Sequence, residues 1–350
     1  MSNKLTAFTE LPVVDVSGLY DSDPVARQAV ARALFRAGSE VGFFYVTGHP
    51  VGRDLRDRLV AQTKRFFDRP LEEKMKIYIG RSSSHRGYVP EGEEVMVGGK
   101  RDRKEALDLG YELADDHPLV RAGTPMVGPN QWPDLPGFRE DIYAYYEAVF
   151  DLGRHLIRGF ALALGLEERF FDDVITAPPS QLRLIHYPYD AEATDVQGIG
   201  AHTDYEFFTL LLPTAPGLEV MNGAGEWIDV PLLPDAYVVN IGDMLEILSN
   251  GKFVATSHRV RKVKEERYSF PLFFSCDYHT RIAPLPDLVA QDEPAKYEPL
   301  IAGEHLYAQT AQSFTYMIEK LARKEVSLPD NAKGLSSFGQ AARHPDRQDA

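Results

Sequence analysis

The stretch that decides the fold opens at His202-Thr203-Asp204, passes through Ser257-His258-Arg259-Val260 and closes at Arg267-Tyr268-Ser269. Short apolar and β-branched runs fill this interval and its flanks: Leu182 to Pro188, Phe207 to Leu212, Leu218 to Met221, Trp227 to Val230, Tyr237 to Ile241, Val254 to Val263 and Tyr268 to Tyr278. Pro213, Ala215-Pro216-Gly217, Asn222-Gly223-Ala224-Gly225 and Gly242-Asp243 punctuate them, and Asn250-Gly251 is a strong hairpin signal. Many short strands separated by Gly/Pro turns predict a sandwich or barrel. A double-sheet jelly roll suits the pattern. Residues two apart on a strand share a face, so His202 and Asp204 are expected to enter one cavity. His258 would reach it from a later strand.

Outward from this stretch the pattern changes. Leu11-Pro12-Val13-Val14-Asp15-Val16 reads as a strand, Pro24 to Val41 as a helix with Ala26, Val30, Ala33, Leu34, Ala37 and Val41 on one face, and Phe43-Phe44-Tyr45-Val46 as a second strand. Helical spacing resumes over Asp54 to Phe67. Arg81 to Gly110 is rich in glycine and charge, so Arg86-Gly87-Tyr88-Val89-Pro90 and Glu91-Gly92-Glu93-Glu94 read as a loop, followed by a strand over Lys104 to Gly110. Residues 115–137 read as irregular. Phe138 to Leu166 is the longest helix, with Ile142, Tyr145, Val149, Leu152, Leu156 and Phe160 on one stripe. Gly303 to Lys320 reads as a helix with Tyr307, Ala311, Phe314 and Ile318 on one face. The expected fold is mainly β with flanking helices: an N-terminal α/β region over about 1–175, a double-stranded β-helix (jelly-roll) core over about 178–285 and a C-terminal helix over about 303–322. These form one domain over 1–330, with a disordered polar tail at 336–350.

Two imidazoles and a carboxylate suit Fe(II), Zn(II) or Mn(II), and ligand type alone does not choose among them. Arg267 lies nine residues past His258 and leads into Phe270-Pro271-Leu272-Phe273-Phe274. A guanidinium beside so apolar a run is costly to bury unless an anion pairs with it. With Ser269 on the same face, it offers a planar fork and a hydroxyl suited to a carboxylate.

Together these residues resemble the signature of Fe(II)/2-oxoglutarate-dependent dioxygenases, in the branch that holds isopenicillin N synthase and the plant flavonoid and gibberellin oxidases. Leu11-Pro12-Val13-Val14-Asp15, Gly42-Phe43-Phe44-Tyr45-Val46 with Gly48-His49, and Val239-Asn240-Ile241-Gly242-Asp243 also match that branch, and Gly87-Tyr88 with Gly92-Glu93-Glu94 looks like its bacterial members. The resemblance covers roughly residues 10–320. It implies that His202, Asp204 and His258 bind iron, and that Arg267 and Ser269 hold the distal carboxylate of 2-oxoglutarate. Tyr187 aligns with a tyrosine that also reaches that carboxylate, although Ile185 stands where plant members have Asn. The implied reaction uses O2 to convert 2-oxoglutarate to succinate and CO2 while a small-molecule C–H bond is oxidised. No catalytic side chain is expected beyond the iron ligands. Two alternatives remain at this point: an oxidase of the isopenicillin N synthase type that uses Fe(II) and O2 without a keto acid, and a non-catalytic metal-containing small-molecule binding protein. Arg86, Tyr88 and Phe207 are expected at the rim of the substrate pocket.

Composition narrows the partners. Against 38 Lys+Arg stand 52 Asp+Glu, a net charge of -14, which repels a phosphate backbone and argues against nucleic acid. Cys276 is the single cysteine, so no intrachain disulfide can form. Neither a secretory h-region nor an apolar run long enough to span a bilayer is present, and a soluble cytoplasmic protein is expected. The sequence leaves the oligomeric state open.

Overall fold

The computed structural model describes residues 5–95, 104–189, 197–261, 264–289, 294–330 and 332. Its strands are β1 (Val13–Asp15), β2 (Phe43–Thr47), β3 (Gly87–Val89), β4 (Glu105–Gly110), β5 (Gln181–Tyr187), β6 (Gln197–His202), β7 (Phe208–Pro213), β8 (Leu218–Met221), β9 (Trp227–Asp229), β10 (Tyr237–Ile241), β11 (His258–Arg261), β12 (Arg267–Phe274), β13 (Arg281–Ile282) and β14 (Leu300–Ile301). Its helices are α1 (Pro24–Glu40), α2 (Arg53–Phe67), α3 (Leu71–Lys74), α4 (Pro118–Arg121), α5 (Phe138–Ala163), α6 (Asp243–Leu248), α7 (Ala302–Ser313) and α8 (Thr315–Ala322).

A large sheet runs in the order β1-β2-β10-β7-β12-β5-β4-β3 and a small one in the order β6-β11-β8-β9. Apart from the parallel β1–β2 pair, the neighbours in both sheets are antiparallel. The two sheets form the jelly-roll core, and helices cover the outer face of the large one. Strand alternation assigns its two faces. Leu182 and Leu184 of β5, Phe208 and Leu210 of β7, and Tyr268, Phe270, Leu272 and Phe274 of β12 join the main core with residues of α1, α2 and α5. Their neighbours Gln181, Arg183, Ile185, Tyr187, Thr209, Leu211, Arg267, Ser269, Pro271 and Phe273 line a cavity on the other face. The predicted α5 stripe is buried throughout. Gly153 permits that packing, since a Cβ there would sit 2.4 Å from the Phe274 ring. Among the described residues, no helix is long and apolar enough to cross a membrane.

Four expectations need correction. Arg86 to Pro90 is not all loop: Gly87–Val89 pairs with Ala106–Asp108 at the sheet edge. Asn250-Gly251 does not join two strands. It ends α6, where Asn250 (φ 52°) and Gly251 (φ 76°) turn left-handed and the Gly251 N–H donates to the Glu246 carbonyl at 2.9 Å. An Asn-Gly pair favours positive φ in both settings, so the dipeptide alone cannot distinguish a hairpin from a helix stop. Strand β11 begins at His258 rather than Val254. The C-terminal helix is two helices, α7 and α8, broken at Phe314, which is extended (φ -96°, ψ 129°) and bridges to Glu94. The tail at 336–350 and Val263 lie outside the described residues.

Candidate metal and cosubstrate site

His202 ends β6 and His258 begins β11, and the antiparallel register sets them directly opposite each other. Asp204 lies two residues past the end of β6, on a turn that continues into β7, so it enters the expected cavity from a turn and not from the strand. The turn is pinned from behind: the Asp243 N–H donates to the Asp204 carbonyl at 2.8 Å, and the Gly242 N–H to that of Phe207 at 2.9 Å. Gly242 must lack a side chain here, because a Cβ would fall 2.2 Å from the Glu206 carbonyl oxygen.

Both imidazole Nε2 atoms lie 3.6 Å from Asp204 Oδ1, and the three donors fall within 4.8 Å of one another. Their Nδ1 atoms face main-chain carbonyls, Gly200 for His202 at 2.8 Å and Thr256 for His258 at 3.3 Å, which directs Nε2 inward. Such outer contacts set the tautomer and ring orientation of metal-binding histidines. Asp204 Oδ2 accepts hydrogen bonds from the Thr209 hydroxyl and from the Asn240 amide, the latter at 2.7 Å, which leaves Oδ1 for the ion. Burial opposes the Asp204 charge, yet His258, His202 and these two donors outweigh it and hold the carboxyl below its usual range. Burial first, and His202 second, pull His258 down, so its imidazole is neutral as metal binding requires. Donor types, spacing and protonation thus fit one divalent ion.

Arg267 and Ser269 occupy cavity-facing positions of β12. Arg267 is 1% exposed, so its charge is fully withdrawn from water, and burial depresses its pKa. Its Nε donates to the Ala215 carbonyl at 3.1 Å, while Nη1 is buried without a partner. Tyr187 is its register partner on β5, and the guanidinium lies 4.9 Å from the centre of that ring. A buried guanidinium nitrogen with an open hydrogen-bonding position is costly unless an anion fills it. The residues present therefore fit a carboxylate of 2-oxoglutarate.

The cavity holds about 210 Å³ and contains all six of these residues in its wall. Beyond the three metal donors and Arg267 its lining includes His85, Met126, Arg183, Glu206, Leu306 and Phe314. Burial first, and the Asp204 charge second, push Glu206 up to about 8. The three expected rim residues lie elsewhere. Arg86 is fully buried behind β4, where Nη2 donates to the Met126 carbonyl at 3.0 Å. Tyr88 is also buried and donates to Glu105 Oε2 at 2.6 Å. Phe207 packs on Phe171, with centroids 5.6 Å apart, on the core side of the turn. The irregular composition that suggested a rim reflects a tight edge strand instead.

Several contributors escaped the sequence. Thr209 and Asn240 orient Asp204, and alternation along β7 and β10 is the signal that could have found them. Counting back by two from Tyr187 would have reached Arg183 and Gln181. His85 carried no such signal: it sits in the left-handed region (φ 55°), and its Nδ1 lies 2.5 Å from the Tyr316 hydroxyl. Burial, then Arg183 and Arg86, push it down to about 3, so it is a neutral imidazole.

Comparison with known proteins agrees with this geometry. Residues 11–135 match the family model for the N-terminal region of the non-haem dioxygenase in morphine synthesis, and residues 178–275 match the 2OG-Fe(II) oxygenase superfamily. The 2-oxoglutarate-Fe(II) type oxidoreductase hxnY of Emericella nidulans is 37% identical over 317 residues, which cover 87% of this chain and 91% of that one. Homoarginine-6-hydroxylase 2-ODD-C23.1 of Arabidopsis thaliana is 36% identical, with 88% and 99% covered. The crystal structure of a full-length Neurospora crassa protein in complex with alpha-KG and thymine superposes with a TM-score of 0.75 at 25% identity, covering 93% of this chain and 100% of that one. The chain belongs to the 2OG-Fe(II) oxygenase superfamily. It is an enzyme that uses Fe(II), O2 and 2-oxoglutarate, and couples decarboxylation of the keto acid to succinate and CO2 with oxidation of a second molecule. The keto-acid-free oxidase and the non-catalytic binding protein are not favoured.

Proposed function

We propose that His202, Asp204 and His258 hold the iron, that Arg267 and Ser269 grip the distal carboxylate of 2-oxoglutarate beside Tyr187, and that a small molecule occupies the rest of the cavity. Residues 1–330 act as one oxygenase unit around it. The strongest support comes from Arg267, whose buried and unpartnered Nη1 points to an anion next to a set of three metal donors.

In balance, substrate, O2 and 2-oxoglutarate give hydroxylated product, succinate and CO2. Bound iron supplies the oxygen activation and the oxidation of the C–H bond. The polypeptide contributes position and dryness. Arg267 and Ser269 fix one end of the keto acid, so its other end is presented to the metal in one orientation. Thr209 and Asn240 hold the Asp204 carboxylate in place. Leu211, Val260, Ile185 and Pro271 make the wall of the same cavity apolar. No side chain is required to carry a proton.

Purified enzyme given Fe(II), 2-oxoglutarate and O2 is expected to form succinate even without substrate, slowly, and an Arg267→Ala variant is expected to lose this at low keto-acid concentration. Equal succinate formation by the two proteins over a range of 2-oxoglutarate concentrations contradicts the assignment.

A further inference from the structure

We propose that the substrate carries a protonated nitrogen, an ammonium or guanidinium group on a hydrocarbon stem, and that the Glu206 carboxylate receives it. This rests on the assignment of the cavity given above.

The inference comes from a tally of charge along the wall. Two guanidinium groups line the cavity. Arg267 stands at the keto-acid end. Arg183 is already committed: its Nε and Nη2 clamp Asp108 Oδ1 and Oδ2 at 2.7 Å each, and its Nη1 lies 2.5 Å from Glu94 Oε1. Glu94 in turn receives Lys104 at 2.7 Å through its other oxygen. His85 adds no charge, because its ring is held neutral. An anionic substrate would therefore meet no uncommitted cation among the described residues.

Glu206 is the counterpart of that deficit. It lines the cavity two residues past Asp204, and Oε2 accepts the neighbouring Tyr205 N–H at 3.1 Å. Among the described residues no Lys, Arg or His lies within ion-pair distance of it. The carboxylate cannot swing away with its backbone, because the turn is tied to α6: the Met244 N–H donates to the Glu206 carbonyl at 3.2 Å, next to the Asp243 and Gly242 contacts described above. A half-buried carboxylate that is fixed in place and lacks a counter-ion is costly by itself. Its cost is offset when a ligand cation completes a charge-assisted hydrogen bond in the same low-dielectric space. Met126, Leu306, Phe273 and Phe314 supply apolar wall to the same cavity, suited to the methylene stem of such a ligand.

The experiment uses the Fe(II)-loaded enzyme with 2-oxoglutarate and O2. Succinate formation is followed with matched pairs in which one member alone is cationic: hexylamine with hexanol, and pentylguanidine with pentylurea. The expected result is that the cationic member of at least one pair stimulates turnover more strongly than its neutral isostere. Glu206→Gln should then lower kcat/KM for that cation on the order of 100-fold, chiefly through KM, with partial recovery in Glu206→Asp. Equal stimulation within every pair, no stimulation by any cation, or an unchanged preference in a folded Glu206→Gln enzyme overturns the inference. Should Glu206→Gln fail to fold, the preference of the wild-type enzyme decides alone. If the wild-type enzyme forms no succinate under any condition, the cavity assignment itself fails, and the inference falls with it. Substrate-free succinate formation without discrimination between pair members removes the inference and leaves the oxygenase reading standing.

Discussion

The two faces of β12 are made by alternate residues of one strand, yet they are built to opposite rules. Tyr268, Phe270, Leu272 and Phe274 are closed against helices and neighbouring strands. Arg267, Ser269, Pro271 and Phe273 border open space, and among them stands a buried guanidinium with an unsatisfied nitrogen. One face is complete as folded, and the other is complete only with a ligand. The lesson is that stability and chemistry share a scaffold here without sharing side chains. Mutations can therefore separate them.

The largest separation is expected at the metal. Asp204→Ala should abolish iron retention and succinate formation while the protein stays folded, read by metal content and circular dichroism. Unfolding of that variant would show that the cavity face also carries stability. On the opposite face, Phe270→Ala should cost about 3–5 kcal/mol in denaturant unfolding, because the ring is wholly buried. The folded fraction should keep its KM for 2-oxoglutarate, and a large rise in KM would blur the distinction between faces. Arg267→Ala should raise KM for 2-oxoglutarate by roughly 100-fold with a small change in unfolding midpoint. Asn240→Ala, which removes one contact to Asp204, should weaken iron binding by roughly 10–100-fold in a metal titration.

An effect of a different kind, seen only in the pH dependence of stability, concerns His85. Its folded-state pKa of about 3 lies below that of an exposed imidazole, so the unfolded chain binds the proton more readily. Its contribution to stability is complete above the unfolded pKa of about 6.5 and declines as pH falls from there towards 3. His85→Asn should flatten that part of the pH–stability curve. An unchanged slope would mean that the ring is protonated in place.

Much of this was legible before any coordinates. His202, His258, Arg267 and Ser269 sit on regular strands, where a period of two reports direction. The long α5 stripe was readable for the same reason at helical period. What escaped lies where periodicity stops. Glu206 is on a turn held by α6, a helix too short to leave a pattern. Arg86 and Tyr88 read as rim residues because the short edge strand Gly87–Val89 is set in a stretch rich in glycine and charge, which looks like a loop. His85 faces the cavity through a left-handed backbone that no spacing encodes. The break at Phe314 likewise depends on a distant partner, Glu94, and not on its helical neighbours.

The most direct test of the account is a crystal structure of the enzyme grown with Mn(II), in place of the oxidisable Fe(II), together with 2-oxoglutarate. The account predicts one ion bound by His202 Nε2, Asp204 Oδ1 and His258 Nε2, and a keto acid whose far carboxylate meets the Arg267 guanidinium and the Ser269 hydroxyl. An ion held by other residues, or a keto acid that leaves Arg267 unpaired, would contradict it.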